Sequence, residues 1–212
     1  MKRTIYLSLI LCVAAASVST RTLGQFFEGK VVYKNTFTST AGANAARQIG
    51  QMMGGTMEYY VKGSYYKNVT NGTFTQYQVY SPSEGKLYSK LNRIDTLYWN
   101  DVTENSDPIE SVAVEKDKEE ILGVMCSVVI IKTGSGSTTF YYNPKYKLDA
   151  AAFRNHKLGF WDAASEAGLP LKIVVVNKMF TVTSVATEIA EQRLDDSLFA
   201  IPQDMPTKKS RY

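Results

Sequence analysis

The sequence predicts a mainly β fold with a few helices, an α+β class built on one curved antiparallel sheet of about eleven strands. Three observations predict it. Segments rich in Tyr, Val, Thr and Phe recur along the 212 residues between short turns of Gly, Asn, Pro or Ser, the composition of hairpin-linked strands. No alternating strand–helix pattern appears, and the turns are too short for the crossovers a parallel sheet needs. Only two segments break the period with helical spacing.

In chain order, Phe26 to Phe37 is the first predicted strand, and Ala41 to Met53 is the first helical segment, alanine-rich with Ala45, Ile49, Met52 and Met53 at helical spacing. Met57 to Lys62 and Tyr65 to Val69 follow, joined at Gly63-Ser64. Asn71-Gly72 suits a two-residue hairpin and leads into Phe74 to Tyr80. Pro82-Ser83-Glu84-Gly85 turns the chain into Lys86 to Leu91, then Asp95 to Trp99 and Ile109 to Val114. The charge run Glu115 to Glu120 reads as a solvated hairpin tip. Val124 to Lys132 and the Phe140-Tyr141-Tyr142 run flank a glycine-serine turn. Asp149 to Ala167 is the second helical segment, with Asp149 as N-cap, Gly168 and Pro170 as stop signals and Gly159 dividing it. Leu171 to Val176 and Phe180 to Ile189 complete the sheet, and Asp195-Asp196 caps a final turn before Ser197-Leu198-Phe199.

Two of these strands are apolar on successive residues, not alternate ones. Val124, Cys126, Val128 and Ile130 point one way and Met125, Val129 and Ile131 the other; Ile173 and Val175 oppose Val174 and Val176. Continuous apolar runs mark strands buried on both faces. Leaving six such side chains in water would forfeit about 1.5–3 kcal/mol each, on the order of 10 kcal/mol, against a typical domain stability of roughly 5–15 kcal/mol. Something must cover them. The two helical segments, carrying Met52, Met53, Phe153, Phe160 and Trp161, are the predicted cover. Two outcomes stay open: a fully packed interior, or a residual apolar cavity between helices and sheet.

The N-terminus reads as a secretory signal peptide over residues 1–24. Lys2 and Arg3 precede an apolar run from Ile5 to Ala16, and Thr22-Leu23-Gly24 offers small residues at a cleavage site. That run is shorter than the roughly 20 residues a spanning helix needs, so no membrane span is expected in the mature chain. Losing 24 of 212 residues leaves 188, one domain over 25–205 with a basic tail over 206–212. The lost segment holds three cations and no acid, so the formal charge falls from +4 to +1. No basic patch with interleaved aromatics remains, which argues against nucleic acid as partner. Cys126 has no intramolecular disulfide partner once Cys12 is removed.

Catalytic and metal chemistry find little support. The single histidine, His156, lies between Arg154 and Lys157 in the second helical segment and reads as an exposed helix residue. No Gly-x-Ser-x-Gly motif accompanies it, and a nucleophile needs a base within hydrogen-bond reach. Cys126 sits among aliphatics and reads as an inert core thiol. One histidine and one mature cysteine do not make a zinc site. Asp101, Glu104 and Asp107 lack the loop glycine and regular spacing of a calcium site. No catalytic residue, metal ligand or cofactor is assigned.

Three local signatures carry a family resemblance. ILGVMC (Ile121 to Cys126) resembles a glycine-then-cysteine strand opening found in a widespread family of secreted bacterial domains. AGLPLKIVV (Ala167 to Val175) resembles that family's glycine-leucine-proline lead into its penultimate strand, and RLDDSLFAIPQDM (Arg193 to Met205) resembles its closing segment. Such domains are grouped with the lipoprotein-carrier, or LolA-like, fold: a strongly curved antiparallel half-barrel covering short helices around a hydrophobic cavity. The resemblance implies an exported protein, periplasmic or outer-membrane-associated in a Gram-negative bacterium, and a non-enzymatic binder of a lipid, acyl chain or other apolar small molecule. The expected lining is Val128, Ile130, Phe140, Tyr142, Ile173, Val175, Phe160 and Trp161, subject to strand phase. The alternatives are a fully packed envelope scaffold and, third, a secreted hydrolase.

Overall fold

The computed structural model describes residues 26–105 and 107–211; the segment assigned to a leader lies outside them. Twelve strands form one sheet: β1 (Gly29–Ser39), β2 (Thr56–Lys62), β3 (Tyr65–Thr70), β4 (Thr75–Ser81), β5 (Lys86–Leu91), β6 (Leu97–Asp101), β7 (Ile109–Ile121), β8 (Val124–Thr133), β9 (Gly136–Tyr142), β10 (Pro170–Asn177), β11 (Phe180–Glu191) and β12 (Thr207–Lys209). Their order is β12-β6-β5-β4-β3-β2-β1-β11-β10-β9-β8-β7. Two antiparallel meanders, β1 to β6 and β7 to β11, are joined where β1 pairs with β11. The sheet is open, with β7 and β12 at its edges, and forms a half-barrel. Register shifts in the β1–β11, β4–β5, β7–β8 and β9–β10 pairs are the bulges that bend it.

One face carries the helices α1 (Ala43–Met53), α2 (Ala150–Phe153) and α3 (Trp161–Ala167), with a 3-10 turn over Leu158–Phe160. Asp149 caps α2 through the Ala151 and Ala152 amides, and Gly159, at φ 66°, separates the 3-10 turn from a continuous helix. On this inner face Tyr59, Tyr66 and Tyr80 from three successive strands stack side by side, with ring centroids 5.3 Å apart. Trp161 lies over Tyr59 at 5.6 Å and Phe153 over Tyr80 at 6.3 Å. Aromatic pairs at these spacings add to burial, so this layer pins α2 and α3 to β2–β4.

The outer face is covered in two ways. Over β4 to β6, the segment after β11 folds back: Leu194 and Phe199 pack with Val79, Tyr88 and Leu97, and Asp195 caps the 3-10 turn Asp196–Phe199 through the Ser197 amide. Over β8 and β10, no helix among the described residues lies outside. Lys172 forms an ion pair with Glu119 at 2.6 Å and rests on the Tyr141 ring at 4.6 Å, and Val128 beside them is buried. Long charged side chains cover apolar surface with their stems. Val176 remains exposed on this face, so the helices cover the inner face only.

Two other expectations change. The charge run Glu115 to Glu120 is part of the thirteen-residue β7, with a bulge opposite Ser127, and the hairpin tip is Leu122-Gly123. A solvent-facing edge strand tolerates charges on both faces, which mimics a loop in the sequence. The C-terminal tail contributes β12, which pairs parallel to β6 and adds Lys208 and Lys209 to that edge. No helix among the described residues is long and apolar enough to cross a membrane.

Replacing Phe199 by Ala should destabilise the chain by about 3–5 kcal/mol, the usual range for a buried aromatic. Phe26→Ala, at a half-exposed position, should fall within about 0.5 kcal/mol. Urea unfolding of both variants measures the difference.

Candidate binding trough beneath helix α1

The two halves of the inner face differ. Beyond Lys34, β1 loses its β2 partner while continuing against β11 to Ser39. Helix α1 lies across the resulting gap. Its alanines favour a helix, yet it has no side-chain N-cap and none of its residues is buried. Contacts at its ends hold it. The amides of Thr73 and Phe74 donate to the Gln51 and Met52 carbonyls at 2.9 and 3.1 Å, and Asn35 Nδ2 donates to the Gly54 carbonyl at 3.0 Å. At its other end Thr40 N and Ser39 Oγ both donate to the Met179 carbonyl.

The C-terminal contact requires two glycines. A Cβ on Gly72 would lie 2.3 Å from the Met52 oxygen, and one on Gly54 would lie 2.6 Å from the Gly72 nitrogen. Backbones at that distance admit no side chain. Asn71 secures the same corner, its Oδ1 accepting from the Thr56 amide at 2.9 Å.

Space remains on both sides of α1. An open groove of about 950 Å³ runs along Phe37, Thr38, Ala43, Ala46, Arg47 and Gly50. A more enclosed space of about 300 Å³ lies under its last turn, walled by Phe37, Met52, Met53, Met57, Phe74 and Val182. Asn35, Asn68, Gln78 and Ser184 add polar groups to that wall. Asn35 and Phe37 border both spaces. Volumes of roughly 300–1,000 Å³ with mostly apolar walls are typical of ligand pockets, and methionines adapt to irregular guests.

The register places the expected lining residues as follows. Val129, Phe140 and Ile173 form one cross-strand row. Phe140, Tyr142, Ile173 and Phe160 join Val129, Ile131 and Ala164 in a packed cluster under α3. Trp161 belongs to the aromatic layer, and Val175 pairs with Thr138 and with Val182, beside the trough. Val128 and Ile130 pair with Tyr141 and Thr139 on the opposite face, so they are one residue out of phase, and Val129 and Ile131 hold the inward positions. Under α3 the side chains interlock; the vacancy lies beside α1. Its wall residues Asn35, Phe37, Met57, Asn68 and Val182 are not among those the sequence singles out, although the alternation of Tyr33, Asn35 and Phe37 in the first strand is a signal for them.

His156 is buried, not exposed. It fits among Tyr66, Tyr80, Phe153 and Trp161, and its Nε2 shares a 2.8 Å hydrogen bond with the Tyr66 hydroxyl. Burial holds its pKa down at about 4 from an ordinary 6.5, while backbone groups of His156 and Leu158 and the Asp162 charge pull the other way. It is therefore neutral near pH 7, with Nδ1 unpartnered. Cys126 is fully buried in the main core, and burial raises its thiol pKa, with Glu119 adding to the rise. No cluster of three or more His, Cys, Asp or Glu side chains suited to a metal occurs among the described residues.

No protein-family model matches the chain, and no curated protein matches it. Among solved structures it is similar to PNGF-II in a P21 crystal form, at 12% identity and a TM-score of 0.46, over 86% of this chain and 32% of that one. It is likewise similar to PNGF-II in a C2 form, at 12% identity and 0.44, over 86% and 31%. The chain thus spans about a third of the length of those proteins.

The titration of His156 has a definite sign. Below pH 6.5 the unfolded chain binds a proton there that the folded chain refuses until about pH 4, so stability falls as pH drops through that window. At about 1.4 kcal/mol per pKa unit, the loss is on the order of 3 kcal/mol. His156→Phe should remove this part of the slope, read as the difference between variant and parent urea midpoints from pH 7 to 4. Gly72→Ala should cost about 1–3 kcal/mol and speed amide exchange across Ala43–Met53 while leaving β2–β4 protected.

Proposed function

We propose that this chain is a non-enzymatic binding protein of the bacterial envelope, exported and then periplasmic or outer-membrane-associated, that holds an apolar small molecule such as a lipid or acyl chain. The observation that carries this reading is the unfilled, methionine-walled space between α1 and the sheet. A packed layer of aromatics lies next to it, so the vacancy is confined to one half of the inner face. A helix with no buried residue makes a poor structural element and a suitable cover for a site that must admit a guest. The leader-like N-terminus supports the envelope assignment.

A second reading, an envelope scaffold working through a sheet edge, draws on β7. Ile109, Val112 and Val114 on this edge strand are exposed, and an open edge pairs readily with another strand.

The acyl reading predicts that a fluorescent acyl probe binds the purified full chain, and that native mass spectrometry finds lipid on protein taken from its own envelope. Val182→Arg, which puts a long cation into the trough from a half-buried position, should weaken probe binding at least about tenfold, equivalent to ~1.4 kcal/mol. Absence of both signals would end this reading, and a partner interaction abolished by Val114→Lys would then favour the edge.

A further inference from the structure

Among the described residues, three buried side-chain atoms lack a hydrogen-bond partner: Asn35 Oδ1, Tyr59 OH and His156 Nδ1. The last two belong to the aromatic layer. Asn35 stands in the wall of the trough, in the same cross-strand row as Ser184, and borders the space on each side of α1.

Its amide orientation is determined by its neighbours. Nδ2 donates to the Gly54 carbonyl at 3.0 Å; a flipped amide would bring two oxygens together there. The acceptor Oδ1 is therefore the free end. Three neighbouring polar groups are engaged elsewhere: Asn68 Nδ2 donates to Gln78 Oε1 at 3.2 Å, Gln78 Nε2 to Ser89 Oγ at 2.9 Å, and Thr70 Oγ1 to the Thr75 carbonyl at 2.8 Å. The Ser184 hydroxyl across the row makes no hydrogen bond to Oδ1. A buried acceptor without a donor is unfavourable, and a guest that supplies the donor relieves it.

We propose that the ligand carries a hydroxyl or amide N–H next to its apolar chain, and that Asn35 Oδ1 accepts from it. This rests on the apolar-ligand reading of the trough. A bare hydrocarbon leaves the oxygen unsatisfied, and a carboxylate offers it no proton. For Oδ1 to remain the free end the Gly54 carbonyl must stay with Nδ2. The donor is therefore seated by movement of the exposed Met52 and Met53 side chains that wall the space, with the backbone bonds of the turn kept.

The test displaces the fluorescent acyl probe from the full chain with dodecan-1-ol, methyl dodecyl ether and dodecanoate. The alcohol should bind roughly two- to tenfold more tightly than the ether, the range for one net hydrogen bond, with dodecanoate no better than the ether. Asn35→Leu should abolish the preference, read as the ratio of alcohol to ether affinity so that any general weakening of the trough cancels. Equal affinity of alcohol and ether for the unaltered chain overturns the proposal, and needs no variant that folds. A preference that survives Asn35→Leu overturns the assignment to Asn35. Failure of every ligand and of the probe removes the apolar-ligand reading itself, and the proposal with it.

Discussion

The architecture depends on the unequal pairing of β1. Against β11 this strand is paired along its whole length, Gly29 to Ser39, and the pairing joins the two meanders into one sheet. Against β2 it pairs only from Gly29 to Lys34. The paired half is where Val31 and Tyr33 are fully buried and where the Tyr33 hydroxyl donates to the Pro170 carbonyl at 2.6 Å across the interior. The unpaired half is where β1 and β2 part, α1 intervenes and the trough opens. Backbone hydrogen bonding thus decides which part of the inner face is core and which is vacant.

Helix α1 bears the energetic consequence. Most helical stability in proteins comes from burying an apolar face, and α1 buries none. Eleven residues in isolation are marginal even when alanine-rich. It persists because its C-terminal turn is fastened by backbone bonds that only glycines at 54 and 72 permit. Small residues serve the same end along its length: Ala46 and Gly50 face the groove, and a Cβ at Gly50 would already stand 3.1 Å from the Phe37 ring. Local opening of such an element needs far less free energy than global unfolding. The helix is anchored by geometry while its face toward the sheet stays unfilled.

Most of the sheet is legible in the sequence because hairpin turns and β-rich segments are local signals. Asp149, Gly159, Gly168 and Asp195 act as the stop and start residues their types suggest. Other features depend on information no local pattern contains. In Val124 to Ile131 nearly every position is apolar, so alternation does not set the phase, and the inward position expected of Val128 belongs to Val129. Glu115 to Glu120 extend an edge strand whose charges are solvated, the pattern of a loop. His156 has charged sequence neighbours, yet it lies in the non-helical link between α2 and the 3-10 turn and packs into the aromatic layer. The trough draws on β1, α1, β2, β3, β4 and β11, so its wall exists only once the topology is known.

The packed and vacant halves support each other. Stacking of Tyr59, Tyr66 and Tyr80 beneath Phe153, His156 and Trp161 concentrates burial at one end of the inner face. On the outer side Leu194 and Phe199 back the same strands, so β4 and β5 are buried on both faces. A domain with that much interlocked surface tolerates an unfilled region that would destabilise a smaller core, since a cavity's penalty scales with its volume and surface. Small residues at Ala46 and Gly50 let α1 approach Phe37 closely along the open groove, while the space under its last turn stays unfilled. Local opening is easiest in the least stable part of a fold, and a helix that buries no side chain is such a part.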